Sequence, residues 1–114
     1  MIDHAFQLVR LRGLCPGAEL WTEPGPSGGP LVYLPEMKVE TVGTIRTIDG
    51  LLCPRARDGY DTRMFYSEQL PVAPTRNWAP HVVMSRGWHA HSWSGIGADQ
   101  PWLDILASHL ETVK

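Results

Sequence analysis

Between Asn77 and Trp93 the chain places three tryptophans and three histidines in seventeen residues, out of five of each in all. The tryptophans are Trp78, Trp88 and Trp93, and the histidines are His81, His89 and His91. Histidine titrates near neutral pH and ligates metals. Tryptophan and arginine are favoured anchors at protein interfaces. His89 and His91 form an H-x-H pair, which a strand would point to one face about 7 Å apart, a workable spacing for two ligands of zinc or iron. His81 is available as a third ligand. No cysteine lies nearby and no acidic residue follows until Asp99, so the rest of a metal site is missing and no metal is assigned. The competing reading packs these imidazoles among indole rings with their nitrogens on backbone groups.

The two thiols are the other candidates for chemistry. Cys15 and Cys53 are too few for a disulfide framework. A nucleophilic cysteine needs a lowered pKa or a neighbouring base. Cys53 lies between Leu51-Leu52 and Pro54, and Arg55 and Arg57 would favour its thiolate if they approached it. Otherwise both thiols are small hydrophobes. Ser92, His89 and Asp99 can be assembled into a trio, but no G-x-S-x-G elbow supports it. Gly25, Gly28 and Gly29 stand among prolines with no helix after them, so they make no phosphate cradle and no cofactor is implied.

Short elements must position these groups, because ten Pro and eleven Gly in 114 residues argue against a helical bundle. Residues 3–12 are expected to be a helix capped by Asp3, with Ile2, Phe6 and Val9 on one face and Leu8 and Leu11 broadening it. Residues 19–22 and 31–34 read as strands flanking the Gly/Pro loop 23–30. Residues 37–48 are rich in β-branched side chains and read as one strand bent near Gly43. Asp49-Gly50 reads as a turn. Residues 60–66 alternate, with Tyr60, Thr62, Met64 and Tyr66 on one face and Asp61, Arg63 and Phe65 on the other. Pro71 and Pro74 bound a loop, and 81–84 is a further extended segment. The Trp/His run has no clean period and reads as irregular. A C-terminal helix is expected with Asp99 as N-cap and Pro101 in its first turn. Leu103, Leu106, Leu110 and Val113 form one stripe on it, and Trp102, Ile105 and His109 an adjoining one. The expectation is a single α+β domain spanning 1–114, with three to four antiparallel strands.

Net charge is −2. Arg55, Arg57 and Arg63 are offset by Asp58 and Asp61 and read as a solvated surface, so no nucleic-acid partner is expected. No run approaches the ~18 apolar residues of a membrane span. The start of the chain lacks the basic and apolar regions of a signal peptide. A cytoplasmic protein with reduced thiols, and no membrane partner, is the expectation.

The series as a whole resembles a known family. Its landmarks are the helix leading to Leu31-Val32-Tyr33-Leu34-Pro35, then Asp49-Gly50-Leu51-Leu52, then Gly59-Tyr60-Asp61-Thr62-Arg63-Met64-Phe65. Asn77-Trp78, the segment 86–93 and a helix ending Ile105-Leu106-Ala107-Ser108-His109-Leu110 complete it. The order is similar to prokaryotic relatives of the ubiquitin-conjugating (UBC-fold) enzymes. These are encoded with a ThiF-like activating enzyme, a ubiquitin-like modifier and a JAB-type peptidase. The resemblance implies a UBC-like fold and those two proteins, modifier and activating enzyme, as partners in a bacterial conjugation or antiphage defence system. The family's carriers bear a catalytic cysteine after the meander. Here that region holds Trp88-His89-Ala90-His91-Ser92-Trp93 and no cysteine, and the family's His-Pro-Asn tripeptide is absent. The implied role is therefore a noncatalytic binding subunit, with Trp78, His81, Arg86, Trp88 and Trp93 as binding residues. His89, His91 or Cys53 would be the groups left for any residual chemistry. A small metal-dependent enzyme using His81, His89 and His91, or a general interaction module, are the alternatives.

Overall fold

The computed structural model describes residues 3–26, 28–72 and 77–114. Ile2, Ser27 and Pro74, expected in a helix face and two loops, lie outside them. The order is α1 (His4–Arg12), β1 (Glu19–Glu23), β2 (Gly29–Thr41), β3 (Thr44–Cys53), β4 (Arg63–Tyr66), β5 (Trp78–Val83), β6 (Arg86–His91) and α2 (Trp102–Glu111). The six strands form one antiparallel sheet in the order β1-β2-β3-β4-β6-β5. The class is α+β as expected, but the strand count rises from three or four to six among the described residues.

Turns without their usual residues account for the extra strands. Residues 37–48 are not one strand but the facing ends of β2 and β3, joined through Val42 (φ 49°) and Gly43 (φ 74°). A two-residue hairpin turn with both φ positive favours Asn-Gly or Gly-Gly. A β-branched residue there is an outlier that hides the turn. The β5–β6 hairpin turns on Met84 (φ 54°) and Ser85 (φ 62°), which carry no glycine signal either. The Trp/His run is thus mostly regular strand rather than irregular. Its alternation is masked because both of its faces pack against protein: Trp88 and Ala90 are buried on one side, His91 on the other.

Asp49-Gly50 is likewise no turn; both residues lie inside β3. A Cβ on Gly50 would come 2.6 Å from Met64 Cε and 2.7 Å from Met37 Cε, so glycine is there for close packing. Opposite it β2 carries a bulge between Leu34 and Met37. Glu36 takes φ 51° at the bulge, and its N–H donates to Asp49 Oδ1 at 2.9 Å.

Both helices lie on one face of the sheet and touch each other. Asp3 caps α1 as expected, accepting from Ala5 N–H at 3.0 Å. The buried side of α1 is Leu8 and Leu11; Phe6 and Val9 are 55% and 62% exposed. Phe6 and Val9 therefore form an outer stripe, not the core face. The cap of α2 is Pro101, not Asp99, and it supplies no side-chain bond. Gln7 Oε1 of α1 instead accepts the Trp102 N–H at 3.0 Å, so one helix caps the other. Both stripes of α2 turn inward, with Trp102, Ile105, Leu106 and His109 buried.

Among the described residues the opposite face has no helix, yet Leu31, Leu51, Cys53, Phe65 and Trp88 are buried there. Tyr33 on β2 and Trp88 on β6 are separated by two intervening strands, about 14 Å of flat sheet. Their ring centroids are 6.3 Å apart. Trp21 of β1 and Met84 at the β5–β6 turn line one hollow. The sheet therefore curls until its two ends meet over this second core.

Candidate functional site

The β5–β6 hairpin pairs Trp78 with His91, Pro80 with His89 and His81 with Trp88. Alternation along β6 sends His89 and His91 to one side and Trp88 to the other. His81, opposite Trp88, packs edge-on to Phe65 at 5.4 Å in the second core. His91 lies on the helix side, between the rings of Trp78 at 5.1 Å and Trp93 at 6.1 Å. The H-x-H geometry expected of a strand is present, but His81 is not directed toward it. Among the described residues no group of three or more His, Cys, Asp or Glu is placed to hold a metal. His81 and His89 do border one shallow cavity of about 420 Å³, with Pro80, Val82, Gly87 and Trp88.

His91 is fixed in a buried polar chain. The Thr112 hydroxyl donates to His109 O at 2.6 Å, leaving its lone pair for the Nε2–H of His91 at 3.0 Å. The Thr62 hydroxyl donates to Ile96 O at 2.8 Å and so accepts from His109 Nε2–H, also at 2.8 Å. These tautomers are assigned from the hydrogen-bond partners. Burial, then the charges of His91 and Arg63, push the His109 pKa down to about 4. A neutral imidazole holding two segments together is structural work. His109 stood in an apolar stripe of the sequence, and that position was the one signal of its burial.

Neither thiol is poised for attack. Cys53 is 0% exposed and Cys15 2%. Cys53 Sγ donates to Arg55 O at 3.5 Å and Cys15 Sγ to Pro35 O at 3.2 Å. Burial raises both pKa values, and the nearby Arg55 and Arg57 lower that of Cys53 too little to reverse it. Cys53, a sequence candidate for residual chemistry, is a wall of the second core.

The tryptophans divide by position. Trp88 is 1% exposed and donates its Nε1–H to Val83 O at 3.3 Å, so it braces the hairpin rather than facing a partner. Trp78 packs on Tyr66 at 5.8 Å beside the helix-side core. Trp93 is exposed enough to meet solvent. Trp21, outside the dense segment, stacks on Tyr33 with centroids 4.6 Å apart.

The feature that spacing did not reveal is arginine packed at both ends of the helix-free face, Arg86 at one and a cluster of three at the other. At one end Arg86 lies over Trp88 at 4.4 Å and Tyr33 at 5.4 Å. It donates to Asp49 Oδ2 at 2.8 Å and Tyr33 Oη at 3.1 Å. Burial would raise the Asp49 pKa, but bonds from Arg86, Glu36 and Tyr33 outweigh it and lower it. At the other end Arg63 lies over Tyr60 at 4.4 Å and Phe65 at 5.5 Å. Arg55 and Arg57 there both bind Glu23 Oε1. These arginines are not a solvated surface, since Arg63 is buried. The charge balance of residues 55–63 concealed that, because burial of a guanidinium on rings leaves no mark in spacing.

No protein-family model, curated protein or solved structure matches the chain. No helix among the described residues is long and apolar enough to cross a membrane. Around the hairpin, Val82 is 76% exposed, and Met84 joins Trp21 and Thr22 around a hollow of about 360 Å³. An apolar tip beside a half-exposed arginine has the chemistry of an interface anchor.

Proposed function

We propose that the chain is a UBC-like, thioester-free binding subunit of a bacterial ubiquitin-like conjugation or defence system. It would contact the modifier or the ThiF-like activating enzyme through the tip of the β5–β6 hairpin. The observation that carries this reading lies on the C-terminal side of the meander. In the region after the meander, where the resemblance would put a catalytic cysteine, this chain has a hairpin of strand, and both its thiols are buried elsewhere. The order of helix, β1–β4 meander in sequence order, and a later helix packed on the same face supports the UBC-like part.

The binding groups in this reading are Met84 and Arg86, with Trp21 beside them. Trp88 serves by holding Arg86 in place. The test pairs the chain with the modifier and activating enzyme encoded beside it. Incubation with ATP and then a non-reducing gel is expected to give no reducible adduct. Titration is expected to show binding that Met84→Asp weakens by at least about tenfold, the scale of an interface anchor. A reducible adduct lost in Cys53→Ser would overturn the thioester-free assignment. Unaltered binding by Met84→Asp would overturn the surface.

A further inference from the structure

The end of the helix-free face remote from Arg86 has a chemistry the proposed function does not use. A hollow of about 420 Å³ opens between the β1 end, Glu23 and Pro24, and the segment 55–59. Arg55 and Arg57 line it with side chains 22% and 20% exposed. Arg63 stands behind them, its Nη1 3.4 Å from Asp58 Oδ2. Three guanidiniums thus meet two carboxylates, Glu23 and Asp58, leaving one positive charge. The pair Arg55 and Arg57 spends donors on a single oxygen, Glu23 Oε1. Arg57 Nε is buried with no hydrogen-bond partner, Asp58 Oδ2 being 3.7 Å away.

We propose that this hollow is a carboxylate-binding site, with Arg55 and Arg57 as its ligands and Glu23 as the internal carboxylate that an incoming one competes with. The guanidinium fork matches a carboxylate in shape and charge. Glu23 shows that these two arginines stabilise one. Burial would raise its pKa, but the hydrogen bonds and charges of Arg57 and Arg55 lower it. An excess of one charge suits a monocarboxylate better than a phosphate dianion. The ligand is either a free small carboxylate or the C-terminal carboxylate of a peptide, and Pro24 at the rim leaves the mouth beside the β1–β2 turn.

The arginine Nε–Hε signals of the full chain report the site directly by NMR. Four probes are titrated: acetate, acetyl-diglycine with a free C-terminus, its C-terminal amide, and inorganic phosphate. Saturable shifts of Arg55 and Arg57 with both carboxylates, and none with the amide, are expected. Tighter binding of acetyl-diglycine than of acetate assigns the site to a peptide terminus; equal binding assigns it to a free carboxylate. Glu23→Gln removes the competitor and is expected to tighten binding about fivefold, whereas Arg57→Gln abolishes it. No saturable shift in the unaltered chain, equal response to the amide, or tighter binding of phosphate than of either carboxylate would each overturn the proposal. None of these results depends on the hairpin tip, so a failure of the modifier-binding reading remains distinguishable.

Discussion

On one face of the sheet the core is covered by α1 and α2; on the other it is covered by the sheet itself. The helix side holds aliphatic side chains such as Leu34, Leu52, Ile105 and Leu106, closed by two amphipathic helices. The helix-free side holds Leu31, Leu51, Phe65 and Trp88, closed by the curl that brings β1 to the β5–β6 turn. Its ends are sealed by guanidiniums lying on rings and tied to carboxylates: Arg86 with Asp49, and Arg57 and Arg63 with Glu23 and Asp58. Long basic side chains can cover apolar surface while their head groups stay paired or wet. A sheet face without helices is thus not automatically an open docking face. What remains accessible is its rim, where the hairpin tip and the arginine hollow lie.

If the second face is a true core, its central filler should matter as much as any helix-side residue. Trp88→Ala is expected to cost about 4 kcal/mol, and Leu106→Ala about 3 kcal/mol, read as urea midpoints. A loss under about 1 kcal/mol for Trp88→Ala would mean that the helix-free face contributes little to folding. The helix side carries the buried imidazole chain, so acid should weaken it; His81 on the helix-free face, its pKa also lowered by burial, acts in the same direction. His109 has a folded pKa of about 4, below its ordinary 6.5, so the folded state binds fewer protons between those values. Stability is full above about pH 6.5 and falls as pH drops through the window, by about 2 kcal/mol between pH 7 and pH 5. The lowered pKa values of Asp49 and Glu23 act below that window, because their stabilisation is lost only as pH falls past the ordinary carboxylate range. In His109→Gln the slope between pH 7 and pH 5 should flatten; an unchanged slope would remove His109 as its source.

Gly50→Ala probes the packing where β3 meets the helix-side core. Its Cβ meets the Cε atoms of Met37 and Met64, flexible tips in a buried setting. The expected cost is about 2 kcal/mol, with part recovered by Met37→Leu, which withdraws one tip. Arg86→Ala separates rim from core. The Asp49 pair is part-exposed, so the expected loss is about 1 kcal/mol, smaller at high salt. A loss as large as that of Trp88→Ala would make the arginine lid, rather than the curl, the main support. Phe6→Ser on the outer stripe of α1 should change stability by less than about 0.5 kcal/mol.

The helices were legible because each has one solvated face and a plain period; the strand expected over 60–66 was legible in part, forming only at Arg63–Tyr66, where both faces are buried. β6 was not, because its Trp, His and Ala residues show no polar–apolar alternation and its turn lacks glycine. The candidate residues were named from type and density, and the fold sorted them. Of the Trp/His group, Trp88 and His91 are interior, His81 and His89 border one cavity, and Arg86 reaches the rim. Trp21, Met84 and Glu23, which complete the two rim surfaces, carried no signal of their own in residue type or spacing.

By itself the sequence determined the α+β class, the Asp3 cap, the double stripe of α2 and the absence of a thiol from the Trp/His segment. These follow from local period, local hydrogen bonding and residue identity. Packing of the whole fold set which aromatic rings are core and that Arg57, Arg63 and Arg86 lie against rings. Those outcomes depend on the curl of the whole sheet. It brings together strands distant in sequence and so sets burial and charge pairing at the rim.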